Sequence, residues 1–105
     1  MAEDLMTDEE LDAKYRELID RFIDLANQQS QHNSIENVGM ALLHAASRFN
    51  AYVVSSHAAT LEEYESELDR ARAFFISNYQ DMLAENLEDY KTSYQSEMKY
   101  MHLLK

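Results

Sequence analysis

The sequence predicts an all-α fold: an antiparallel three-helix bundle whose long third helix overhangs at the C-terminus or bends into a short fourth helix. Three observations predict it. The 105 residues contain no proline and a single glycine, so the residues that break or loosen helices are nearly missing. Three helix-start signatures recur along the chain: Thr7 with Glu10, Asn33 with Glu36, and Thr60 with Glu63. In each, the first side chain is placed to accept from the amide three residues on, while the glutamate reaches back to the start. Each is followed by apolar residues at helical period.

Helix 1 is expected from Asp8 to Gln31. Leu11, Tyr15, Leu18, Phe22, Leu25 and Gln29 form one stripe, widened by Ile19, Ile23 and Ala26, which makes the helix amphipathic on one side. The polar run Asn27 to Ser34 breaks the period, and Asn33 restarts it. Helix 2, Ser34 to Ser56, is apolar around most of its circumference, with Leu42, Leu43, Ala45, Ala46, Phe49, Tyr52, Val53 and Val54. That predicts the central, most buried helix: Leu42, Phe49 and Val53 supply bulk, and the alanines let a neighbour come close.

Helix 3 begins at Leu61 with no breaker before Lys105. Its stripe runs from Leu61, Tyr64, Leu68, Ala71, Phe75, Tyr79 and Met82 into Leu83, Leu87, Tyr90, Tyr94, Met98 and Met101. Helices 1 and 2 would each reach roughly 36 Å and helix 3 nearly twice that. The last stretch of helix 3 then carries an apolar face with nothing opposite it. Tyr90, Tyr94, Met98 and Met101 fall within an arc of about 80°, narrow enough for a coiled-coil seam. With Leu87 they form the candidate interface, through which another protein or a second copy of the chain would dock. A bend near Asn86, packing the tail back as a short fourth helix, and fraying of the tail into solvent are the alternatives. The domain reading is a flexible acidic N-terminus over 1–6, a helical bundle over 7–90 and a C-terminal helical extension over 91–105.

Segments beginning at Phe22 (FIDLANQQ), Leu42 (LLHAASRFNAYVVSS) and Phe74 (FFISNYQDMLAENLEDY) resemble, in order and spacing, a family of short bacterial proteins catalogued as a domain of unknown function and common in proteobacteria. The resemblance covers Tyr15 to Tyr94. It implies an all-helical fold and a bacterial source, and it implies no activity.

Composition narrows the function classes. The formal charge is −11. Residues 1–60 carry ten acidic and four basic side chains, residues 61–90 nine and two, and residues 91–105 one and three. Such a body repels phosphate backbones, so neither nucleic acid nor an anionic membrane is an expected partner; mimicry of DNA, or binding of a basic protein, is the minor alternative. With no cysteine, thiolate metal sites, disulfides and cysteine nucleophiles are excluded, which suits a cytoplasmic location. No window is apolar enough to span a bilayer.

Catalytic and metal motifs are missing. His32, His44, His57 and His102 have no carboxylate three or four residues before them, so the Glu-x-x-His signature of carboxylate bundles does not occur. One glycine cannot build a nucleophile elbow or a phosphate-cradling loop. The expectation is a non-enzyme without metal or cofactor. One polar cluster interrupts helix 2: His44, Arg48 and Ser55 on one side, with Asn50 on the opposite flank. A buried guanidinium must find a partner. Arg48 is therefore expected to pair with Asp20, Asp24 or Asp69, or else to receive an anionic small molecule. The leading functional expectation is a cytoplasmic helical interaction module, and the second is a small anionic-ligand binder on the Arg48 side of helix 2.

Overall fold

The computed structural model describes residues 6–104, with side chains described through residue 96. The fold is all-α. Helix α1 spans Asp8–Gln29, α2 spans Ile35–Ser56 and α3 spans Leu61–Leu104. No strand occurs among the described residues. Two compact units divide the chain, Met1–Tyr52 and Val53–Lys105, so the boundary falls inside α2.

Local chemistry sets the helix ends. Thr7, in extended backbone conformation, accepts from the Glu10 amide on its Oγ1 at 3.1 Å, and Asp8, Glu9 and Glu10 place negative charge on the first turn. This is where the helix dipole favours it. At the far end, Ser30 donates from its amide to the Ala26 carbonyl at 3.0 Å and from its hydroxyl to the same oxygen at 2.8 Å. Those bonds close α1 at Gln29, two residues before the end expected from the sequence.

The second start signature is corrected. The Asn37 amide donates to Ser34 Oγ at 3.2 Å, and the Val38 amide donates to the Ser34 carbonyl at 3.0 Å, so Ser34 is the cap of α2. Asn33 instead turns back and donates from Nδ2 to the Gln29 carbonyl at 3.0 Å. Two residues suited to capping stand side by side. Asn33 is spent on the open carbonyls ending α1, which leaves Ser34 to open α2. At the third start, the Glu63 amide donates to Thr60 Oγ1 at 3.2 Å, while Glu63 Oε2 accepts from the Ala59 amide at 2.8 Å. The return arm of that box thus reaches one residue beyond the cap.

Helix α3 is continuous through Asn86, so the bend into a fourth helix does not form. Its 44 residues reach about 66 Å. Every side-chain ion pair among the described residues lies within one helix at three- or four-residue spacing: Arg21–Glu17, Arg70–Glu67, Arg72–Asp69 and Lys91–Glu88. Exposed pairs of this kind contribute a few tenths of a kcal/mol each. They stiffen helices without packing them together.

The expected burial of helix 2 is also corrected. Among the described residues none is buried. The best covered residues of α2 are half-buried: Val38, Asn50, Val53 and Val54. Phe49, expected at the centre of a core, is 64% exposed, and Ile35 is 68% exposed. An apolar circumference states that a helix wants to be covered; it does not state that the same chain covers it.

Candidate interaction surface

Unit 1 is a helical hairpin, and its inner face is an open trough. Phe22, Leu25 and Ala26 of α1 stand across from Val38, Leu42 and Ala45 of α2, around a space of about 410 Å³. Gln29, Asn33 and Asn37 line the end nearest the turn, and no charged side chain lines the trough at all. The geometry follows from spacing. On α1, Leu11, Tyr15, Leu18, Phe22 and Leu25 alternate steps of four and three. On α2, Ile35, Val38, Leu42, Ala45, Phe49 and Tyr52 alternate steps of three and four. That rhythm keeps one narrow seam facing one direction along a helix, as in coiled coils. Two helices alone cannot enclose such seams, and the large side chains stay open to water.

Unit 2 has a second groove, more polar than the first. Val54, His57 and Ala58, from the end of α2 and the turn after it, lie beside Phe74, Phe75 and Arg70 of α3, around about 580 Å³. Phe74 and Phe75 meet edge to face, with ring centres 5.3 Å apart. Arg70 is held by Glu67 at 3.1 Å. Arg70 thus meets a carboxylate of its own helix at the groove.

This chain belongs to the family described as proteins of unknown function, DUF3144. The family model matches residues 15–91, which covers α1 from Tyr15, all of α2 and α3 to Lys91. No curated protein and no solved structure matches the chain. For this DUF3144 protein, function has to be read from its own surfaces.

The polar cluster on α2 is divided between the two units. His44, Arg48 and Ser55 are exposed, Asn50 is half-buried, and none of the four lines either groove. Ser55 belongs to unit 2 and the other three to unit 1. The expected ion pair of Arg48 with Asp20 or Asp24 does not form. The carboxylate of Asp69 is held instead by Arg72 of its own helix at 3.0 Å. Arg48 avoids the cost of burial by staying in water, which removes the need for a partner. Among the described residues, no group of three or more metal-ligating side chains comes together, and no helix is long and apolar enough to cross a membrane.

On α3, the residues expected to form the interface are open. Leu87, Tyr90 and Tyr94 are exposed, Tyr90 at 78%. Met98 and Met101 lie in the helix, but their side chains fall outside the described residues. What the sequence reading missed is that large apolar residues of α1 and α2, Phe22 and Phe49 among them, are exposed as well. The three–four alternation on α2 was the available signal: it marks a directional seam, where an all-round apolar count marks only a buried helix.

Proposed function

We propose that this protein is a non-catalytic protein–protein interaction module, acting in the bacterial cytoplasm, whose apolar helix faces are completed by another protein chain. One observation carries the reading: among the described residues not one is buried, whereas a self-sufficient domain of this size encloses a core. The seam of Leu87, Tyr90 and Tyr94, continued in sequence by Met98 and Met101, supports a docking role for the C-terminal part of α3. The cytoplasmic placement rests on a cysteine-free chain, which gains nothing from an oxidising compartment.

Light scattering on the full chain and on a chain lacking Lys91 to Lys105 tests the role of the tail. The expected result is a full-length mass above 12.3 kDa that falls on truncation, with helical content preserved through α2. A full chain that stays monomeric from micromolar to millimolar, melts cooperatively and carries no bound protein would refute the module reading.

A further inference from the structure

We propose that Asn33 and Ser34 form a self-modifying site, at which the side-chain amide of Asn33 is lost as ammonia and replaced, through water, by a carboxylate. The inference is independent of the interaction-module reading and lies wholly within unit 1. The chain has six asparagines, and five of them stand inside helices: Asn27 in α1, Asn37 and Asn50 in α2, Asn78 and Asn86 in α3. Asn33 alone lies in a turn, exposed and followed by the small residue Ser34. The reaction needs the main-chain nitrogen of the following residue to reach the asparagine Cγ. Inside a helix that nitrogen is held away, because its N–H is bonded to the carbonyl four residues back and the backbone is fixed in the helical region. The Val38 amide after Asn37 is held in this way, donating to the Ser34 carbonyl at 3.0 Å, and its β-branched side chain crowds it further.

The Ser34 amide is different. It precedes the first turn of α2, and among the described residues it donates to no acceptor. In α3 the third helical residue, Glu63, returns across the cap to hold the Ala59 amide; α2 has Asn37 at that position, with no carboxylate to return. One exposed hydrogen bond, from Asn33 Nδ2 to the Gln29 carbonyl at 3.0 Å, holds the side chain, and a bond of that kind opens readily to water. The Ser34 nitrogen then bonds to Asn33 Cγ, and the Cγ–Nδ2 bond breaks. The proton of the Ser34 amide leaves with Nδ2 as ammonia, closing a succinimide ring. Water adds at one of the two ring carbonyls. Cleavage of the new Cγ–N bond gives aspartate, and cleavage of the original C–N bond gives isoaspartate, whose main chain runs through Cγ. Either product ends the bond to Gln29, because a carboxylate only accepts. It also brings negative charge to the end of α1, where the helix dipole is already negative. The His32 amide shares the Gln29 carbonyl, at 3.2 Å, so the close of α1 loosens while the new carboxylate is drawn to the open amides that begin α2.

The test is peptide mapping by mass spectrometry of the full chain, kept in neutral buffer made with heavy-oxygen water, beside the same chain unfolded in urea. Without urea, conversion at Asn33, with one heavy oxygen taken up, should run ahead of the other five asparagines by on the order of tenfold or more, because each of those waits for its helix to open. Ser34→Thr keeps the cap hydroxyl while crowding the attacking nitrogen, and should slow the conversion several-fold. Conversion of Asn33 in urea but not in buffer alone would show that the turn is closed to attack, and would overturn the site. Conversion of a helical asparagine as fast as Asn33 would overturn it equally, since the turn would then confer nothing. A rate untouched by Ser34→Thr would mean direct attack by water and would overturn the role of the Ser34 nitrogen. For the consequence, Asn33→Asp should speed hydrogen exchange at the Ser30 and His32 amides several-fold, and unchanged exchange would overturn the loosening of α1.

Discussion

Phe49→Ala separates coverage within one chain from coverage by a partner. Phe49 occupies the α2 seam and touches Tyr52 in a tilted arrangement, with ring centres 5.7 Å apart. In the single chain it is 64% exposed, so roughly a third of the usual loss applies. Truncating a fully buried phenylalanine costs about 3–5 kcal/mol, which leaves about 1–2 kcal/mol for this position in an isolated chain. Closure of a second copy over the seam brings the loss to the full 3–5 kcal/mol per chain, and part of it then appears as weaker association. The assay is a set of urea melts, followed by circular dichroism, over protein concentrations from micromolar to millimolar. Where a second copy is the cover, wild-type stability should rise by about 1.4 kcal/mol with each tenfold increase in concentration. For Phe49→Ala the whole series should shift down by several kcal/mol where the dimer is populated, and by much less where it is dilute. Melts independent of concentration, with a loss below about 1 kcal/mol, would show that nothing covers the seam. A loss of full size at the lowest concentration would show that the chain covers Phe49 by itself, and the exposure argument would fail.

Other expectations follow from local geometry. Ser34→Ala should cost about 1 kcal/mol in the same melts, because Ser34 caps α2, while Asn33→Ala should cost about half as much through its single bond to the Gln29 carbonyl; the reverse order would return the cap to Asn33. Gly39→Ala should stabilise α2 by about 0.5–1 kcal/mol, since a methyl group there meets nothing within 4 Å and the residue has ordinary helical φ. A destabilising result would mean that another chain lies against Gly39. Arg48→Met should change stability by less than about 0.5 kcal/mol, as exposed substitutions do. If a screen of anionic compounds raises the melting temperature of the wild type and Arg48→Met abolishes the effect, Arg48 is a ligand contact and the second functional reading gains over the first.

The three helices were legible because their causes are local. Thr7, Thr60 and the apolar periods act within four or five residues, and the absence of proline left nothing to stop α3 at Asn86. The cap of α2 was misread by one residue, because Asn33 and Ser34 are both able to cap. The choice depends on which of them the end of α1 uses, a contact between two elements and not a property of either. The family, too, was legible in the helical segments from Tyr15 onward. Coverage was not. The apolar circumference of α2 reports how much surface would gain from leaving water, and that quantity is the same whether the cover comes from α1, α3 or another molecule. Only the tertiary structure shows Phe49 and Ile35 open, Arg48 in water with no need of Asp20 or Asp24, and the trough within the hairpin lined without charge. The sequence by itself determined where this chain is helical and which face of each helix is apolar, because hydrogen bonding and side-chain period are short-range. Which of those faces the chain leaves uncovered was decided by packing, because burial depends on what else occupies the space beside a helix.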